Sequence, residues 1–111
     1  MAIHHADPAE VISLQPLGEK IADTKTHTLF KTAAMEAIRL VLPAGKILPE
    51  HKAPGELIVQ CLEGHIQFTA GGTPRAMKTG DMLYLAESEP HAVEATEDST
   101  VLVTIVFTNR R

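Results

Sequence analysis

The sequence predicts an all-β sandwich or barrel. Short runs alternate apolar and polar residues, turn formers recur about every 8 to 12 positions, and no stretch keeps a convincing helical period. With 111 residues, 44% of them hydrophobic, the chain suffices for one domain with a modest core and is too short for two. Residues 1–10 read as a flexible N-terminal segment and 11–111 as the single domain, with no internal repeat.

The first nine residues include His4, His5, Asp7 and Pro8, a polar start that frays or lies along another element. Adjacent histidines point to opposite sides of an extended chain, so His4 and His5 read as an exposed terminus rather than a metal site. From residue 11 to 30, short apolar pieces alternate with Pro16, Gly18 and Asp23, which predicts loop and a short edge strand. Residues 36–42 alternate Ile38, Leu40 and Leu42 with Ala37, Arg39 and Val41 and end in Pro43-Ala44-Gly45, a strand and its turn.

Residues 51–64 are the organising stretch. Read as extended chain, they put His51, Ala53, Leu57, Val59 and Cys61 on one face, with Lys52, Glu56, Ile58, Gln60 and Leu62 opposite. Turned inward, the first face places one imidazole at the rim of an apolar cavity, where a metal, a ligand or another polar group must satisfy its ring nitrogens. Gly64 ends the strand, and Ile66, Phe68 and Ala70 then alternate with His65, Gln67 and Thr69 up to Gly71-Gly72, a strong hairpin signal. Residues 75–78 return, residues 79–81 turn, residues 82–85 form a short strand, and residues 87–90 turn again. His91, Val93 and Ala95 share the inward face of the next strand, and Val101, Val103, Ile105 and Phe107 that of the last.

The inward sets are nearly all aliphatic, and the chain has no Trp, one Tyr and three Phe, so the cavity wall should be smooth and apolar. The expected lining is Leu40, Leu42, Ala53, Leu57, Val59, Cys61, Phe68 and Val93, with the Cys61 thiol behaving as a small buried hydrophobe. Tyr84 and Met82 read as barrel filling or as the cavity mouth. Ile58, Leu62, Leu102 and Val106 make second faces apolar as well, and with no second layer to cover them a homodimer is expected.

Ten Lys and Arg against 14 Asp and Glu give a net charge of -4, with no basic stripe to track phosphates, which excludes nucleic acid as a partner. The apolar runs 101–103 and 105–107 are broken by Thr104 and fall far short of the ~20 residues of a membrane span. A single cysteine allows no internal disulfide, and residues 1–20 lack the charged start and apolar block of a secretory signal; a cytoplasmic location is expected.

Two segments pair: Gly45-x5-His51 running to Gly64, and Gly80-Asp81 running to Pro90-His91. They resemble the two motifs of the cupin family, G-x5-H-x-H-x3-4-E-x6-G and G-x5-P-x-G-x2-H-x3-N, over residues 36–107. Ala86 and Ser88 stand where the second motif has Pro and Gly. The resemblance implies a cupin-type jelly-roll β-barrel. It also implies a metal site at positions His51, Ala53, Leu57 and His91, of which two here carry no ligand atom. Two imidazoles hold a divalent ion (Fe, Mn, Ni, Cu or Zn) only if water or substrate completes its shell, so low occupancy is expected, and no organic cofactor is implied. By parity Glu56 falls on the opposite face, unless a bulge follows Pro54-Gly55, and His65 on a polar one. The resemblance therefore implies a protein that binds a small molecule in its barrel, alongside a weakly held metal. The alternative it implies is a metal-dependent enzyme, dioxygenase-like or isomerase, on a small organic substrate.

Overall fold

Alternating sequence and turn chemistry produce nine strands in the computed structural model, which describes residues 4–107. Residues 1–3 of the expected N-terminal segment and 108–111 of the expected domain lie outside the described residues. The strands are β1 (His27–Lys31), β2 (Met35–Leu42), β3 (Ile47–His51), β4 (Gly55–Glu63), β5 (His65–Ala70), β6 (Thr73–Lys78), β7 (Met82–Leu85), β8 (His91–Ala95) and β9 (Ser99–Phe107). A short 3₁₀ helix, Gly18–Asp23, precedes them.

All pairings are antiparallel, in a five-stranded sheet of order β1-β2-β9-β4-β7 and a four-stranded sheet of order β3-β8-β5-β6. This is the jelly-roll arrangement, and its core lies between the sheets. Leu57, Val59, Cys61 and Val101 from the larger sheet meet Ile66, Phe68, Val93 and Ala95 from the smaller one. The Gly-Gly loop closes the β5–β6 hairpin with φ of 58° at Gly71 and 82° at Gly72, the two positive values a tight hairpin turn requires.

The stretch 51–64 is not one strand. His51 ends β3 in the four-stranded sheet, residues 52–54 cross over, and Gly55 opens β4 in the five-stranded sheet. Pro54, which has no N–H for a ladder, sits in the crossing. His51 and Leu57 thus face the same interior from opposite walls, an outcome that parity along one strand does not describe.

The outer face of the larger sheet also differs from expectation. Along β2 the outward residues Ala37, Arg39 and Val41 are buried while inward Ile38 and Leu40 are half-buried. The chain itself supplies a partial second layer. The Gln15 carbonyl accepts a hydrogen bond from Arg39 at 2.7 Å, Leu17 and Gly18 N–H donate to the Glu63 carboxylate at 2.7 and 3.1 Å, and Ile21 is buried. Arg39, 4% exposed, lies 3.7 Å from Glu63, while Thr100 donates to the same carboxylate at 2.9 Å. Nearer the N-terminus, the Ala6 N–H donates to the Leu29 carbonyl at 2.8 Å, so this segment lies along β1.

Candidate functional site

His51 and His91 are cross-strand partners in the β3–β8 ladder. The register slips between Leu48 and His51: two steps along β8, from Val93 to His91, are matched by three along β3. This bulge re-aims the β3 side chains so that Leu48 and His51, three residues apart, both line one cavity. The ring centroids lie 4.3 Å apart at an interplanar angle of 61°. Phe68 stacks on His91 with centroids 5.7 Å apart and planes within 7° of parallel.

Each imidazole is anchored in the same way. Nδ1 of His51 bonds the Pro49 carbonyl at 3.0 Å and Nδ1 of His91 the Glu89 carbonyl at 2.9 Å. A carbonyl oxygen only accepts, so Nδ1 is the protonated nitrogen and Nε2 carries the lone pair of the neutral ring. His91 is 5% exposed and His51 sits exposed at the mouth. Burial pushes the His91 pKa below the ordinary imidazole value; the nearby His51 adds to this, and the bond to the Glu89 carbonyl opposes it.

The cavity measures about 110 Å³. Leu40, Ala53, Leu57, Val59, Phe68 and Val93 line it together with the two histidines. Leu42 and Cys61, expected on the wall, lie instead in the packed core, each 1% exposed. They share the inward parity but sit farther along their strands than the cavity reaches, and burial raises the Cys61 thiol pKa, helped by Asp81. Ile38, Leu48, Val103 and Ile105 complete the lining. Parity on β2 and β9 already pointed inward for three of them, whereas Leu48 was hidden by the bulge.

Other candidates fall elsewhere. Glu56 is exposed on the outer face opposite Val106, and His65 is exposed 3.2 Å from Glu97. Tyr84 and Met82, 67% and 65% exposed, neither fill the barrel nor line its mouth. Tyr84 pairs with outward-facing Ile58, so ladder geometry sends both edge-strand side chains outward.

All four positions that match the family's metal ligands therefore meet at one cavity, but as two imidazoles, a methyl and an isobutyl group. No lining residue is a carboxylate. This donor set does not fit a centre with three or more protein ligands. Among the described residues, His4, Asp7 and Glu10 do bring ligand atoms within 4.8 Å of one another, but on the exposed surface. There His4 Nε2 lies 2.9 Å from Glu10.

Ser88 takes φ 65°, a left-handed conformation, at the position where the second motif has Gly.

Comparison with curated proteins found no match. Among solved structures, a conserved protein of unknown function from Streptococcus pyogenes superposes with TM-score 0.78 at 20% identity, covering 99% of this chain and 100% of that one. An RmlC-like cupin from Desulfovibrio desulfuricans gives TM-score 0.67 at 25% identity over 95% of this chain and 97% of that one. The DMSP lyase DddQ from Ruegeria pomeroyi gives TM-score 0.68 at 26% identity over 78% of this chain and 48% of that longer one. The cupin-domain family model matches residues 38–107, which span most of β2, all of β3 to β9, both motifs and the two-histidine cavity. The chain belongs to the cupin family.

Proposed function

We propose that this cupin binds a small molecule in its barrel, held by the His51 and His91 imidazoles, with a divalent ion retained there only weakly. The observation that carries this reading is the pairing of two anchored imidazoles with a cavity wall that is otherwise aliphatic and aromatic. Such a pocket has the usual composition of a small-ligand site, an apolar lining with few convergent polar groups. The two imidazoles orient a polar head and the aliphatic wall takes the body.

The second reading is a metal-dependent enzyme, dioxygenase-like or isomerase, on a small organic substrate; the likeness to a DMSP lyase supports an enzyme. Ala53 and Leu57 stand against it, because they remove two ligand positions at once. Two measurements test the pair of readings. A fragment set screened by methyl chemical shifts is expected to move Leu57, Val93 and Ile105, and Ala53→Phe, which fills the cavity, is expected to abolish the response. A screen that moves none of these methyls contradicts the binding reading. Elemental analysis is expected to find substoichiometric metal that a chelator removes, and much higher occupancy in the variant carrying Ala53→His with Leu57→Glu. A wild type that keeps one tightly held ion per chain favours the enzyme instead.

A further inference from the structure

A second opening shares no lining residue with the two-histidine cavity and lies where the β5–β6 turn meets the β7–β8 turn. The Gly71 N–H donates to the Pro90 carbonyl at 3.3 Å and ties the two turns together. Between them and β7 runs a groove of about 400 Å³, within the ~300–1,000 Å³ of ordinary ligand sites. Unlike the barrel cavity it carries charge of both signs, because Arg75 and Glu89 line it beside Ala70, Gly71, Thr73 and Leu83.

The hairpin end fixes both charges. Nη1 of Arg75 donates to the Ala70 and Thr73 carbonyls at 3.3 and 2.9 Å, and no described residue takes the Nη2 or Nε protons of the fork. The Glu89 N–H donates to the Ala86 carbonyl at 3.3 Å, and its half-buried carboxylate lies against Gly71, with Oε2 only 2.8 Å from where a methyl there would stand. A side chain at position 71 would displace that oxygen, so the glycine lets the carboxylate close on the turn. Among the described residues neither charge has an ion-pair partner, and the two do not pair with each other. Two opposite charges held unpaired at one turn complement a molecule that carries both. The free edge of the Arg75 fork offers two N–H donors to a carboxylate, and Glu89 accepts from an ammonium. A ligand of one sign leaves one of them unmet. We propose that this groove binds a small zwitterion, an ammonium and a carboxylate joined by a short chain, of the amino-acid class, independently of what the barrel holds.

Glycine, β-alanine and γ-aminobutyrate separate the two charges step by step, while acetate and ethylammonium carry one each. They would be titrated into the full chain at neutral pH and low ionic strength, with amide and methyl shifts recorded. At least one zwitterion is expected to bind about fivefold tighter than either single ion, the upper end of what an exposed ion pair contributes. It should move the Gly71, Gly72 and Ala86 amides and leave the Leu57 and Val93 methyls still. Glu89→Gln keeps the side-chain size and the backbone carbonyl that holds His91, and is expected to bring that zwitterion down to acetate without changing acetate. Arg75→Lys keeps the charge but loses the fork, and is expected to weaken the zwitterion and acetate alike. Acetate or ethylammonium binding as tightly as every zwitterion overturns the proposal and leaves a site for one charge only. An unchanged zwitterion in Glu89→Gln overturns it as well. So does binding of none of the five, or a response confined to Leu57 and Val93, and in both cases the barrel reading stands.

Discussion

At the scale of single residues, the buried His91 and the half-buried Glu63 tie stability to pH and charge. Burial depresses the His91 pKa, so between the folded and the ordinary value the unfolded chain binds more protons. The stability this group contributes is complete above about pH 6.5 and is lost as pH falls through the folded value. Thermal melts are expected to fall between pH 7.5 and 5 in the wild type and to fall less in His91→Phe; an identical slope in both would show that another group titrates there. Glu63 is a contrasting case. Burial alone would raise its pKa, but the Leu17 and Gly18 N–H groups, Thr100 and Arg39 outweigh it and hold the carboxyl below its ordinary range. Glu63→Gln leaves the Arg39 guanidinium buried without its counter-charge and should cost about 3 kcal/mol in urea unfolding. Arg39→Met removes the buried charge while Glu63 keeps three other donors, so the smaller loss is expected there. Equal losses would contradict this asymmetry.

At the scale of elements, the turns hold the strands in register, and two motif glycines separate the reasons. Gly64 and Gly80 both take positive φ, 92° and 94°. At Gly80 an added methyl meets nothing within 4 Å, so Gly80→Ala carries only conformational strain, about 1 kcal/mol. At Gly64 it would overlap the Asp98 carbonyl and Ser99, so Gly64→Ala is expected to cost several times as much in chemical denaturation. Matched losses would mean that the β4–β5 corner yields easily. The turns and the inward sets of β4, β8 and β9 were legible in the sequence because period-two alternation is local. The convergence of positions 51, 53, 57 and 91 was legible only as what the resemblance to the family's two motifs implies. The β3 bulge, the crossing at residues 52–54 and the N-terminal layer over Arg39 were not. Each depends on which sheet a segment joins, and that is settled by contacts between residues far apart in the chain.

At the scale of the whole molecule, the N-terminal layer leaves part of the larger sheet bare. Tyr84 and Met82 lie largely exposed on β7, and Val106 on β9 is 38% exposed. A second copy covering this face is expected, giving a particle of twice the 12.0 kDa chain mass by light scattering at micromolar concentration. Tyr84→Lys with Met82→Lys should return it to a monomer, and a wild type that is already monomeric would remove the proposal. The central claim concerns the interior: two imidazoles at one cavity, each with its Nδ1 held by a backbone carbonyl. Long-range nitrogen–proton correlation spectra of ¹⁵N-labelled protein at pH 8 report this directly, ring by ring. Both His51 and His91 are expected in the Nδ1–H form. An Nε2–H tautomer in either ring would contradict it.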